Sequence, residues 1–131
     1  MPGIFAQIIA GQIPSYKIAE NETCFAFLDV FPLAPGHTLV VPKIEVDNIH
    51  ELDTETHAAL FAFSKQIARA IGKAIPCKKV GMAVVGLEVP HAHIHLVPLN
   101  KVSDLDFSKP KVKENDEALL HIQKLIQAEL L

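Results

Sequence analysis

Residues 90–100 read Pro-His-Ala-His-Ile-His-Leu-Val-Pro-Leu-Asn, with histidines at 91, 93 and 95 and Ala92, Ile94 and Leu96 in register with them. Strict alternation of this kind predicts a β-strand, here over His91–Leu99, because residues i, i+2 and i+4 of a strand share one face. Three imidazoles then line one side while the apolar residues pack behind. The chain has seven histidines in 131 residues, and a single one on a half-buried strand is usually structural. Three on one ridge point instead to a metal site or to nucleophilic and acid–base chemistry near neutral pH.

A metal explains the pattern poorly. The outer pair, His91 and His95, lies about 13 Å apart along a strand, too far to converge on one ion. Two of the three could ligate only with companions from elsewhere. Cys24 and Cys77 are distant in sequence and form no Cys-x-x-Cys pair.

Outward from the ridge, the other elements alternate in type. A short amphipathic helix over Ile4–Ala10 is stopped by Gly11 and Pro14. Strands are expected at Tyr16–Glu20, Thr23–Val30, His37–Pro42 and Val80–Gly86, with a Pro-containing turn over Phe31–Gly36. The longest helix starts at Asp53 or Thr54, either of which can cap it, and ends near Ala74, before Pro76. Its buried stripe is Leu60, Phe63, Ile67, Ile71 and Ala74. A last helix starts near Asn115 and turns Leu119, Ile122, Ile126 and Leu130 to one side. It packs either on its own domain or at an interface between copies. Strands joined in pairs by short turns favour an antiparallel sheet flanked by helices, an α+β fold, over a doubly wound one.

Length allows one domain, 1–131, with a substantial core. Half the residues are hydrophobic, which excludes a disordered chain, and the formal charge of −3 offers no basic field for long nucleic acid. No segment reaches membrane-spanning length. Two isolated cysteines and an N-terminus without an export-like pattern predict a cytoplasmic protein.

The stretch Phe27-Leu-Asp-Val-Phe-Pro-Leu-Ala-Pro-Gly-His-Thr-Leu-Val-Val-Pro-Lys43, followed by Gly86-Leu-Glu-Val-Pro-His-Ala-His-Ile-His-Leu-Val-Pro-Leu99, resembles the histidine-triad (HIT) superfamily. With Ile4-Phe-Ala-Gln-Ile-Ile-Ala-Gly-Gln-Ile-Pro-Ser15 the resemblance spans roughly residues 3–100, leaving 101–131 outside it. It implies a HIT-like five-stranded antiparallel sheet with an N-terminal short helix, one long central helix and a C-terminal helix. It also implies a homodimer, purine nucleotide binding and, in most branches, hydrolysis or transfer at the α-phosphate of a nucleoside monophosphate ester or amide.

By this resemblance His93 is the nucleophile. Neutral imidazole attacks phosphorus at pH 7 without a separate base, giving a nucleotidyl-histidine that water cleaves. His95 and His37 would contact the phosphate and leaving-group side, and His91 would help position the nucleophile. Asp29 would accept hydrogen bonds from the ribose hydroxyls. The base would lie in an apolar slot from Ile4, Phe5, Ile8, Ile13 and Phe27, with Leu28, Val30 and Val89 around it.

This chain departs from the pattern in places. Relatives often carry Gln and then Ser or Thr before the triad, where Leu87 and Glu88 stand here. A carboxylate there should disfavour a polyphosphate tail and favour a neutral or cationic amine leaving group. Some bacterial relatives hold a structural zinc with an N-terminal Cys pair, a His after the Val-Pro-Lys strand and the first triad histidine. Gly3, Ala6 and Glu45 stand at those positions, so no metal or other cofactor is implied.

The resulting expectation is a hydrolase of purine nucleoside phosphoramidates or related adenylates. The alternatives are a dinucleoside polyphosphate hydrolase and a nucleotide-binding module with vestigial catalysis.

Overall fold

The computed structural model describes residues 2–131. Its sheet consists of β1 (Lys17–Glu20), β2 (Cys24–Leu28), β3 (Thr38–Pro42), β4 (Lys79–Ala83) and β5 (Ile94–Leu99), in the spatial order β1-β2-β3-β5-β4. All neighbouring strands are antiparallel. The helices are α1 (Ile4–Ile9), α2 (Thr54–Ala74) and α3 (Asp116–Ala128). This is the α+β arrangement expected from the sequence.

Side-chain alternation divides the sheet into two apolar layers. Cys24, Ala26, Leu28, Val40, Ile94 and Leu96 point to one face and pack under α2 and α3. Phe25, Phe27, Leu39 and Val41 point to the other, where α1 lays Phe5, Ile8 and Ile9 against them. Both faces of β2 and β3 are therefore covered, and every residue of these strands is buried. Across the sheet Phe27 pairs with Leu39, and Leu39 with His95, so His95 lies on the α1 face.

The caps read from the sequence form. Asp53 accepts the Thr56 N–H and Asn115 the Ala118 N–H, bonds worth about 1 kcal/mol each. Leu60, Phe63, Ile67 and Ile71 are buried along α2 as expected, whereas Ala74 at its end is only partly buried. The sequence left the partner of α3 open. The helix packs on its own domain, with Leu119, Ile122 and Ile126 in the main core. Gln123 and Gln127 donate to the Lys17 carbonyl, covering the outer edge of β1.

The expected strand over His91–Leu99 is shorter. Its ladder starts at Ile94, opposite Val40, so Ala92 would face Pro42, which has no N–H to give. Ala92 N–H goes instead to the Val46 carbonyl, and His91 Nε2 takes up the Pro42 carbonyl. β4 likewise ends at Ala83, opposite His95, and not at Gly86. Among the described residues no helix is long and apolar enough to cross a membrane.

Candidate active site

His37 enters the site from a turn that needs Gly36, whose φ of 98° is in the left-handed region. Buried immediately before β3, His37 accepts the Leu33 N–H at Nδ1, 3.0 Å away. Because a backbone amide can only donate, His37 carries its proton on Nε2. That nitrogen lies 3.0 Å from His95 Nδ1 and so donates to it, leaving His95 with its N–H on Nε2.

The other two histidines are fixed by carbonyls. His93 Nδ1 lies 2.7 Å from the His91 carbonyl and must donate, which leaves Nε2 with the free lone pair. His91 Nε2 donates to the Pro42 carbonyl at 2.8 Å, while its Nδ1 is buried without a partner. One amide and two carbonyls thus set four tautomers. The edge of Phe5 packs on His93 and His91, with ring centroids at 5.1 and 5.7 Å.

Burial is the main influence on the charges here. It pushes His37 down to about 3 and His95 down to about 4, with neighbouring histidines and Lys111 adding to the effect. His93 is also lowered by burial, partly offset by its bond to the His91 carbonyl. These three imidazoles are neutral at pH 7. Burial raises the Asp29 carboxyl, the Phe31 N–H and Lys111 oppose that shift, and Glu88 adds to it.

A cavity of about 480 Å³ opens onto His93, His95 and His37, a size suited to a small organic ligand. Ile4, Phe5, Ile8 and Ile13 form one wall, from α1 and the turn after it. Phe27, Leu28, Asp29 and Val30 form the floor along β2 and its exit, and Glu88 and Val89 stand at the rim. Every residue expected at the site borders this space except His91, which sits behind His93 and supports it through its carbonyl. Glu88 and Leu87 both line the mouth and are exposed, Leu87 at 89%.

Sequence reasoning missed Phe107 and Lys111, which lie in the segment beyond the motifs. No periodicity or motif marked them. They border the cavity only because the chain doubles back after β5.

The fold also brings Asp29 to a place the spacing did not reveal. Ligand atoms of Asp29, His37 and His95 lie within 4.8 Å of one another, so a third donor does exist beside two histidines. Their hydrogen bonds argue against a metal: His37 Nε2 carries a proton and points at His95 Nδ1, so neither nitrogen has a free lone pair. The zinc set of some bacterial relatives does not fit either. Gly3 and Ala6 offer no ligand atom, and Glu45 Oε2 accepts the Gly3 N–H at 2.7 Å.

Against known proteins, the chain matches the family described as "HIT domain" over residues 10–102. The chain belongs to the HIT family. It is 35% identical to an adenosine 5'-monophosphoramidase of Schizosaccharomyces pombe over 99 residues, covering 75% of this chain and 74% of that protein. A HIT-like protein of Bartonella henselae superposes with a TM-score of 0.85 at 32% identity, covering 98% of this chain and 96% of that one. A zinc-bound histidine triad family protein of Mycobacterium smegmatis also scores 0.85, at 29% identity, covering 99% and 94%. Membership accounts for the triad and for the sheet that carries it.

Proposed function

We propose that this HIT protein is a nucleotide-binding hydrolase that cleaves purine nucleoside phosphoramidates or related adenylates through a nucleotidyl-histidine intermediate. The observation that carries the reading is the His93–His91 hydrogen bond, which leaves the Nε2 lone pair of a neutral imidazole at a nucleotide-sized cavity. Relatives that are adenosine 5'-monophosphoramidases support the substrate class.

In this reading His93 Nε2 bonds to the α-phosphorus as the P–N bond breaks. Its Nδ1–H stays on the His91 carbonyl, which stabilises the positive charge the ring acquires. His95, with its N–H on Nε2, donates a hydrogen bond to the departing nitrogen, which takes its proton from solvent water. The water that attacks the nucleotidyl-histidine returns a proton to solvent. The N–P bond breaks, and the nucleoside monophosphate and free His93 are regenerated.

Turnover of an adenosine phosphoramidate, beside a diadenosine polyphosphate and with and without chelator, tests the proposal. The phosphoramidate should be preferred and chelator should have no effect. The acid limb of kcat/KM should lie below the ordinary imidazole value of 6.5, because His93 is lowered and must be neutral to attack. Preference for the polyphosphate, or loss of activity with chelator, would count against it.

The chain is further proposed to work as a homodimer. β4 is an open edge with exposed Met82, followed by exposed Val84 and Val85. Light scattering should give about twice 14.3 kDa, and a monomer would overturn this.

A further inference from the structure

We propose that Lys111 is a phosphate-binding residue of this site, presented by a C-terminal strap outside the matched family domain, and that its ligand is the phosphoryl group of the bound nucleotide. The inference rests on the nucleotide reading above and deepens it.

The strap follows β5 and crosses the cavity over residues 106–112. Ring packing and one backbone hydrogen bond fix it there, and a third contact lies within the strap. The Phe107 ring packs against His95 at 4.7 Å between centroids and against His37 at 6.3 Å. Val112 N–H donates to the Pro32 carbonyl at 2.8 Å, tying the strap to the turn that delivers His37. Lys111 Nζ donates to the Phe107 carbonyl at 2.8 Å. The family match ends at residue 102, so Phe107 and Lys111 lie outside the matched region.

Charge then decides what Lys111 is suited to do. Among the described residues lining the cavity it is the only Lys or Arg, whereas Asp29 and Glu88 supply two carboxylates. His37, His93 and His95 are neutral at pH 7. A phosphate monoester entering this space would meet two anions, neutral rings and one ammonium. Without that ammonium the field opposes the ligand.

Position agrees with charge. Lys111 Nζ donates to the carbonyl of Phe107, whose ring packs on His95 and His37, which places the ammonium toward the histidine end of the cavity, where its charge also acts on Asp29. Its side chain is exposed, and one backbone carbonyl accepts from its ammonium. The flexible four-carbon stem lets Nζ exchange that carbonyl for a phosphoryl oxygen while the strap backbone stays in place.

Calorimetric titration of wild type, Lys111→Gln and Lys111→Arg with adenosine and with adenosine 5'-monophosphate tests the assignment. Lys111→Gln should weaken the monophosphate by about tenfold, the scale of one charge-assisted hydrogen bond, and leave adenosine unchanged. Lys111→Arg should recover most of the loss. The salt dependence of monophosphate binding should be shallower in Lys111→Gln, because one ion pair is gone. Wild-type affinity for the monophosphate in Lys111→Gln overturns the assignment while leaving the nucleotide reading intact. So does an equal loss for adenosine and the monophosphate, which would mean that Lys111 only holds the strap. If wild type binds neither compound, the nucleotide reading fails and this inference fails with it.

Discussion

His93→Ala should eliminate phosphoramidate hydrolysis, a loss of at least about 10⁴-fold, while nucleoside monophosphate still binds. The expectation follows from what His93 provides and what it does not. It provides the one lone pair that its own hydrogen bond leaves free, on an imidazole that burial keeps neutral. Most of the remaining cavity lining, including Asp29, His95 and the α1 slot, does not depend on its ring. Retained binding therefore serves as the control for folding, since Phe5 loses one of its edge contacts in the variant. Rapid quenching of wild type with labelled substrate should trap the nucleotidyl group on His93. An adduct on His95 or His91, or turnover that survives the substitution, would reassign the nucleophile.

Asp29→Ala should weaken nucleoside monophosphate binding by about 1–3 kcal/mol, the range for a hydrogen bond to a charged acceptor. Asp29 Oδ1 is taken by the Phe31 N–H at 2.8 Å. Oδ2 is 3.6 Å from His37 Nε2, whose proton is directed to His95. One carboxylate oxygen thus lines the cavity without a donor of its own, as a ribose diol would require. The test is a cycle: a 2',3'-dideoxy nucleotide should show the same loss on wild type and little further loss on Asp29→Ala. Losses that simply add would mean that Asp29 acts on the neighbouring histidines and does not bind the sugar.

Much of the fold was legible because its signals are local. Asp53 and Asn115 cap helices through hydrogen bonds to residues three positions on, and alternation along Phe25–Phe27 and Ile94–Leu96 needs only the strand period. The end of the triad strand was misjudged for a non-local reason. His91 to His93 have strand-like alternation, but their would-be partner is Pro42, fifty residues earlier, and that residue cannot donate. The site was legible where a motif carried it. It was not legible at Phe107 and Lys111, where only the path of the chain after β5 brings an unremarkable Phe and Lys to the cavity.

By itself the sequence determined the α+β class, the two faces of the strands and the ridge of His91, His93 and His95, because residue type and spacing specify them, whereas His37 and Asp29 came only through the resemblance to the HIT family. The tertiary structure alone decided which nitrogen of each histidine carries the proton. That choice depends on the Leu33 amide and on the carbonyls of His91 and Pro42, groups that every sequence possesses and only a fold can aim. It also decided the charge of the site. Burial removes the imidazolium charges, which leaves a lysine from outside the matched family region as the one cation among the described residues lining the cavity.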